Sequence, residues 1–260
     1  MSATATVAER AWHTDVMGMT ASIHLRGPDL DGAEVAAAVE EAFAGLRHAD
    51  AVFSTYRAGS DLLRVRSGEL AASEADPDLA AVLALCAEAM TRTEGWFDPV
   101  VPGPSGPVID PTGLVKGWAV QRAGAVLARL AEHDHYVAVA GDISLAVQRR
   151  DTPPWRVGIT APGSRTELVA VTECSTGGVA TSGTGEHGGH VRNPFTGRPA
   201  TELASVTVVG PELLWADVHA TAALARGLDA LRWLPTLADH EWFVVATDGR
   251  RWRSPGWPQV

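Results

Sequence analysis

Residues 180–200, ATSGTGEHGGHVRNPFTGRPA, are the part of the sequence that most limits the fold. Glycines alternate there with hydroxyl, imidazole and guanidinium side chains, and so glycine-rich a segment can add little to a hydrophobic core. We therefore expect its backbone to approach a ligand closely. Residues 193–197, Asn-Pro-Phe-Thr-Gly, predict a turn, because Pro194 fixes φ and Gly197 is free to adopt a positive φ.

Three glycines in this stretch, Gly183, Gly185 and Gly188, match the dinucleotide-binding pattern G-x-G-x-x-G. That pattern holds a pyrophosphate only where a helix begins directly after the glycines, because the helix N-terminus binds the anion. Here Gly189 and Pro194 follow, and such a run excludes a helix. The sequence therefore argues against a Rossmann dinucleotide-binding domain.

The overall composition excludes several classes of protein. The 260 residues carry a formal net charge of −10 without a basic run, which argues against a nucleic-acid-binding protein. No apolar run reaches the roughly 18 residues of a membrane span, and the N-terminal residues lack the apolar core of a signal peptide. We therefore expect a cytoplasmic protein. Cys86 and Cys174 have no C-x-x-C spacing, and Cys86 lies in an apolar run typical of a buried structural thiol.

The hydrophobic periodicity predicts helices and strands that are mixed along the chain. Most strands of the second half follow one another through short turns, which favours an α+β fold with antiparallel sheets over a doubly wound parallel sheet. We expect one domain over residues 1–260, because no linker divides the chain. The predicted helices are 32–51, 77–92, 114–132, 211–226 and 228–239, and the predicted strands are 15–25, 136–140, 143–148, 155–160, 167–173, 204–209 and 241–247.

Asp217 and Thr221 form the first candidate site. They lie four residues apart in the predicted helix 211–226, so that they share one face of it. A carboxylate and a hydroxyl are hard oxygen ligands, which suit Mg²⁺ better than zinc. The alternative is a solvent-exposed helix face, on which such pairs are common.

Two further candidates are His190 and the start of the helix 114–132. His190 differs from the other histidines because it lies in the glycine-rich stretch beside Arg198. Thr112 and Gly113 lead into the helix, and Lys116 lies in its first turn. A glycine-preceded helix start with a nearby lysine is typical of an anion site, and an exposed helical lysine is the alternative.

Taken together, these segments resemble the FAD:protein FMN transferases of the ApbE type. The resemblance covers about residues 15–227. The matching blocks are, in order, 17–18 (MG), 53–57 (FSTYR), 96–99 (WFDP), 109–113 (IDPTG), 116–119 (KGWA), 141–142 (GD), 180–183 (ATSG) with His190 and 193–199 (NPFTGRP), and 216–222 (ADVHATA).

The resemblance implies a T-fold-related α+β fold and a Mg²⁺-dependent transfer of FMN from FAD to a Thr or Ser hydroxyl of an acceptor flavoprotein, with release of AMP. It implies that the backbone carbonyl of Val115 and the side chains of Asp217 and Thr221 bind Mg²⁺. It also implies catalytic roles for His190 and Asp217. The FAD contacts that it implies are Met17, Tyr56, Trp96, Phe97, Asp98, Thr112, Trp118 and Val191.

The sequence departs from the family pattern at a few positions. Asn193 stands where Asp is usual, Val115 where Ala is commoner, and Arg66 where Asn is usual. The segment between Ser182 and His190 is short compared with many relatives. Two alternatives to a transferase therefore stay open, namely an FAD diphosphatase that uses water as the nucleophile and a non-catalytic FAD-binding protein.

Overall fold

The computed structural model describes residues 7–103, 106–164, 166–184 and 191–257. Their helices are α1 (Ala33–Phe53), α2 (Asp61–Ser67), α3 (Pro77–Arg92), α4 (Thr112–Leu127), α5 (Leu213–Arg226) and α6 (Ala230–Trp233). Their strands are β1 (Glu9–Val16), β2 (Met19–Arg26), β3 (Val100–Gly103), β4 (Gly106–Ile109), β5 (Asp134–Val139), β6 (Asp142–Ala146), β7 (Trp155–Thr160), β8 (Leu168–Cys174), β9 (Thr176–Gly183), β10 (Leu203–Gly210), β11 (Glu241–Ala246) and β12 (Arg251–Arg253).

One large antiparallel sheet organises these elements. Its eight strands follow the order β1-β2-β5-β6-β9-β10-β11-β12. Two separate antiparallel pairs, β3 with β4 and β7 with β8, complete the described strands. These antiparallel sheets, packed with helices, confirm the predicted α+β class.

The two faces of the large sheet bury different hydrophobic clusters. Along β11, Val244 packs into the cluster that the helices form, whereas Phe243 and Val245 pack into a second cluster that contains Trp155 and Val157 of β7. This alternation follows from the period-two geometry of a strand. The helices therefore cover one face of the sheet, and the pair β7–β8 covers the other.

The expectation that residues 180–200 add little to the core is wrong for their first part. β9 continues to Gly183 and lies in the middle of the sheet, where Ala180 is fully buried. Small residues are needed there because α5 packs directly over the strand. A Cβ atom on Gly178 would lie 2.3 Å from Cα of Leu213, so that only glycine allows this approach.

The predicted turn at residues 193–197 is confirmed. The Asn193 carboxamide oxygen accepts hydrogen bonds from the backbone N–H groups of Phe195 at 3.0 Å and Thr196 at 3.1 Å. Gly197 adopts a φ of +68°, which glycine tolerates without strain.

The structure corrects several predicted elements. The strand predicted at residues 15–25, with an interruption at Met17-Gly18, is in fact parts of two strands, because Met17 (φ +56°) and Gly18 (φ +71°) form the tight turn between β1 and β2. A two-residue hairpin turn in which both residues have a positive φ favours glycine at the second position, because glycine adopts a positive φ without strain. The proline- and glycine-rich residues after Pro99 carry β3 and β4, which the prediction missed. The helix 114–132 begins earlier and ends at Leu127, and 228–239 contains only the short α6 between two 3₁₀ turns.

Among the described residues, no helix has the length and apolar character that a membrane span requires.

Candidate active site

Helices α4 and α5 meet at Gly117 and Asp217. Asp217 is 3% exposed, and its Oδ2 accepts a hydrogen bond from the Gly117 backbone N–H at 3.1 Å. The helices approach so closely that a Cβ atom on Gly117 would lie 2.9 Å from the Asp217 Cβ atom. The alternative of a solvent-exposed helix face is therefore excluded for Asp217.

A second carboxyl group, that of Asp142, adjoins Asp217. Asp142 begins β6 directly after Ala140 and Gly141, which both have a positive φ, and its side chain is completely buried. Its Oδ2 lies 2.9 Å from Nζ of Lys116, which is on the turn of α4 that contacts Asp217. Its other oxygen, Oδ1, accepts a hydrogen bond from the Thr181 backbone N–H at 3.4 Å, and β9, which carries Thr181, packs against α5.

The pKa of Asp217 is raised well above its ordinary value. Burial is the largest cause, and the charge of Asp142 acts in the same direction. The ammonium group of Lys116 and the Gly117 N–H oppose this shift without cancelling it. Two buried carboxyl groups therefore share one ammonium group, an arrangement that an added cation would stabilise.

Hydroxyl groups lie one helical turn beyond Asp217. Thr221 Oγ1 is 3.0 Å from Oγ of Ser182, which projects from β9. Val115, in the first turn of α4, precedes Gly117 by two residues. Asp217 and Thr221 thus lie where α5 meets α4 and β9, and the donors of the three predicted ligand residues are oxygen atoms, the type that Mg²⁺ prefers.

An aromatic cluster of Trp96 and Phe195 lies near the end of α5. Their ring centroids are 4.9 Å apart in an edge-to-face arrangement, and Phe195 is 65% exposed. The Arg226 guanidinium lies 5.2 Å from the Trp96 ring. Arg226 follows Asp217 by nine residues, so that α5 connects the two groups over roughly 14 Å.

The other predicted FAD contacts have different environments. Tyr56 is 97% exposed, which excludes it from the core. Met17 and Val191 are partly buried against the main hydrophobic cluster. Phe97 is only 3% exposed, and its ring lies over Gly113. Its aromatic surface is therefore covered by the protein in this conformation.

A carboxylate, that of Asp110, contacts the first residue of α4. Asp110 Oδ1 accepts hydrogen bonds from the Thr112 backbone N–H at 3.0 Å and from its hydroxyl at 2.7 Å. Asp98 makes a similar local contact, accepting from the Val100 N–H at 2.8 Å. The predicted anion site at this helix start thus already contains a carboxylate, and Lys116 is turned towards Asp142 instead.

Trp118 points to another region of the protein. Its ring lies edge-on to Phe53 at 5.5 Å and beneath the Arg122 guanidinium at 4.6 Å. It lines a cavity of about 370 Å³ between α1 and α4, together with Glu41 and His48. The neighbours of Trp118 therefore differ from those of the Trp96–Phe195 cluster.

His190 lies outside the described residues. Arg66, which departs from the usual Asn, donates a hydrogen bond to the carbonyl of Ile109 at the end of β4. The unusual side chain therefore attaches α2 to the β3–β4 pair.

Sequence reasoning missed Asp142 as a site residue. The sequence left residues 141–142 between the predicted strands 136–140 and 143–148, whereas Asp142 is the first residue of β6 and the turn is Ala140-Gly141. The available signal was a charged residue at the start of an otherwise apolar strand, because a buried carboxylate needs a partner.

Comparison with known proteins identifies relatives of this chain. A model of the ApbE family matches residues 17–106 and 103–243. Proteins named FAD:protein FMN transferase from Vibrio cholerae serotype O1 and Haemophilus influenzae are 30% and 28% identical over 129 and 132 residues. Each alignment covers 46% of this chain but only 39% and 38% of the respective relative.

Solved structures share the fold over nearly the whole chain. The ApbE protein from Thermotoga maritima has a TM-score of 0.81 at 19% identity, covering 95% of this chain and 97% of that one. The apo form of the Pseudomonas stutzeri flavinyl transferase ApbE has a TM-score of 0.79 at 21% identity, covering 96% of both chains. At these identities the likeness establishes the fold.

Proposed function

The chain belongs to the ApbE family, and on this premise we propose that it transfers FMN from FAD to a Thr or Ser hydroxyl of an acceptor flavoprotein in a Mg²⁺-dependent reaction. The observation that carries the proposal is the buried Asp217 at the crossing of α4 and α5, with Thr221 one turn beyond it. The names of the relatives support the substrate and the type of acceptor.

The residues at the crossing fit a hard divalent cation. Asp217, Thr221 and the Val115 carbonyl would hold it, and the shortage of positive charge around Asp142 and Asp217 favours its binding. Bound Mg²⁺ would supply neutralisation of the pyrophosphate charge. The protein contributes positioning, because Gly117 orients the Asp217 carboxylate and Ser182 orients the Thr221 hydroxyl.

The proposed reaction is a phosphoryl-type transfer. The acceptor hydroxyl oxygen attacks the phosphorus of the FMN half of FAD, and the bond to the AMP phosphate breaks. His190 takes the hydroxyl proton as a general base, and AMP leaves with the electron pair of the broken bond. The exposed Tyr56 and the Trp96–Phe195 cluster offer aromatic surface to the rings of FAD.

Incubation with FAD and Mg²⁺, with and without a candidate acceptor, tests this function. We expect AMP release only when the acceptor is present, with FMN bound covalently to the acceptor. AMP release without an acceptor would indicate a diphosphatase. Tight FAD binding without any AMP release, across acceptors that a related transferase modifies, would indicate a binding protein.

A further inference from the structure

We propose that Asp142 is a further residue of the cation site and supplies the second negative charge that this site uses to hold a divalent ion. The proposal deepens the proposed function and rests on it, since it concerns the same cation. Asp142 is absent from the ligand set that the family resemblance implies. Its position and its contacts assign it to the site.

Asp142 connects the three elements that form the site. Its Oδ1 accepts a hydrogen bond from the Thr181 N–H of β9 at 3.4 Å, and its Oδ2 lies 2.9 Å from Lys116 Nζ on α4. Lys116 in turn adjoins Gly117, whose backbone N–H donates to Asp217 of α5. Because the side chain is fully buried, these neighbours and not water determine its electrostatic environment.

Asp134, another buried aspartate of the same sheet, has enough partners of its own to balance its negative charge. Asp134, also fully buried, lies 3.1 Å from the Arg26 guanidinium. It accepts hydrogen bonds from the backbone N–H groups of Gln148 at 2.8 Å and Arg149 at 2.9 Å, and from the Thr152 hydroxyl at 2.5 Å. One carboxylate thus has one cation and three further donors.

Asp142 has fewer partners than Asp134 to balance its negative charge. The ammonium group of Lys116 at its Oδ2 also acts on Asp217, so that two carboxyl groups depend on the same positive charge. With both carboxylates ionised, these three side chains carry one net negative charge in a buried pocket. That balance attracts a divalent cation, and loss of the Asp142 charge would make the pocket neutral.

A charge series in the free protein tests this inference without measuring catalysis. Mn²⁺ serves as the probe, and electron paramagnetic resonance measures the unbound ion in the absence of FAD and acceptor. We expect Asp142→Asn to weaken Mn²⁺ binding by roughly 10- to 100-fold, the usual effect of removing a partner of a metal ligand. Lys116→Met should tighten binding, because it removes the opposing charge. The double variant restores the wild-type net charge and should bind more tightly than Asp142→Asn alone.

Asp134→Asn is the matched control, because it removes a buried, ion-paired carboxylate at the far end of the neighbouring strand β5. Its Mn²⁺ affinity should equal that of the wild type even if its stability falls. Should Asp142→Asn fail to fold, Lys116→Met decides the question, since a wild-type affinity for that variant overturns the proposal.

The remaining outcomes separate this inference from the proposed function. Wild-type Mn²⁺ affinity in Asp142→Asn, together with lost affinity in Asp217→Asn, would overturn the role of Asp142 and leave the cation site standing. Absence of Mn²⁺ binding by the wild-type protein would overturn both.

Discussion

Gly117 donates its backbone N–H to Asp217 Oδ2 over 3.1 Å, and this contact fixes the carboxylate between two helices. The hydrogen bond exists because residue 117 has no side chain. A Cβ atom there would meet Asp217 Cβ at 2.9 Å, Asp217 Oδ2 at 3.0 Å and the Leu213 carbonyl at 3.3 Å. The absence of a side chain at Gly117 thus allows α4 to pack closely on α5 and also orients Asp217, the proposed metal ligand.

Gly117→Ala should therefore damage both stability and cation binding. The extra methyl group must push α4 and α5 apart or rotate Asp217, at a cost of roughly 1–3 kcal/mol in the free energy of unfolding. Urea unfolding and Mn²⁺ titration measure the two effects. Gly45→Ala in α1 is the control, because its added Cβ meets no atom within 4 Å and should stabilise the helix by roughly 0.5–1 kcal/mol. Unchanged cation affinity in Gly117→Ala would contradict the assigned role of this contact.

Tyr56→Ala should weaken FAD binding without destabilising the fold. The ring is 97% exposed, so that its removal costs little core packing, whereas the loss of one stacking ring is worth on the order of 1 kcal/mol of binding. We expect the dissociation constant of FAD, followed by flavin fluorescence, to rise several-fold while the melting temperature stays constant. Leu168→Ala, an exposed apolar residue of β8, should leave both unchanged. Equal FAD affinity in the Tyr56 variant and the wild type would remove Tyr56 from the binding site.

His190→Gln should slow the chemical step. Loss of a general base lowers a rate by roughly 10²–10⁴-fold, and single-turnover transfer at saturating FAD and acceptor isolates that step. The affinities for FAD and Mg²⁺ should change far less. His13→Gln, an exposed position of the edge strand β1, should transfer FMN at the wild-type rate. A loss confined to FAD affinity would make His190 a binding residue, and an unchanged rate would exclude it from the mechanism.

His219 should make the protein sensitive to acid. The pKa of this α5 histidine is lowered to about 3, chiefly by burial, and the charges of the neighbouring His240 and Arg92 act in the same direction. The folded state thus favours the neutral ring, so its contribution is complete above the unfolded pKa of 6.5 and is lost as the pH falls towards 3. The loss is about 1.4 kcal/mol for each pH unit in that range.

The free energy of unfolding measured in urea at pH 7 and at pH 5 checks this expectation. His219→Gln should show a smaller difference between the two values than the wild type does. Part of the difference should remain, because burial also lowers the pKa of His135 to about 4. An identical difference in the variant and the wild type would contradict the assignment.

The sequence predicted correctly those helices whose ends are determined by capping residues and prolines next to them. The bounds of α3 are those predicted, because Pro77 occupies its first position and the Asp76 carboxylate accepts the hydrogen bond of the Asp78 N–H. The pair Asp217 and Thr221 was placed on one helix face for the same kind of reason, since their spacing alone determines it.

The remainder depended on contacts between distant parts of the chain. Asp142 and Asp217 are neighbours only because β6 lies next to β9 in the sheet and α5 packs over β9. The buried strand β9 resembled a loop because the approach of Leu213 requires small residues such as Gly178. The glycines of β9 therefore reflect close packing of a helix on the strand. Amino-acid composition alone cannot distinguish this from close approach of a ligand.

AMP release by the wild type and by Asp217→Asn across a Mg²⁺ titration, with FAD and an acceptor present, tests the central claim most directly. The amide has the shape of the carboxyl group, and burial already disfavours the charged form, so that the variant should fold. We expect wild-type release to match covalent FMN one to one and to stop when Mg²⁺ is chelated. In Asp217→Asn, the Mg²⁺ concentration for half-maximal release should rise by roughly 10- to 100-fold or more. An undiminished, equally Mg²⁺-dependent turnover in the variant would contradict the assignment of Asp217 as the metal ligand of a flavin transferase.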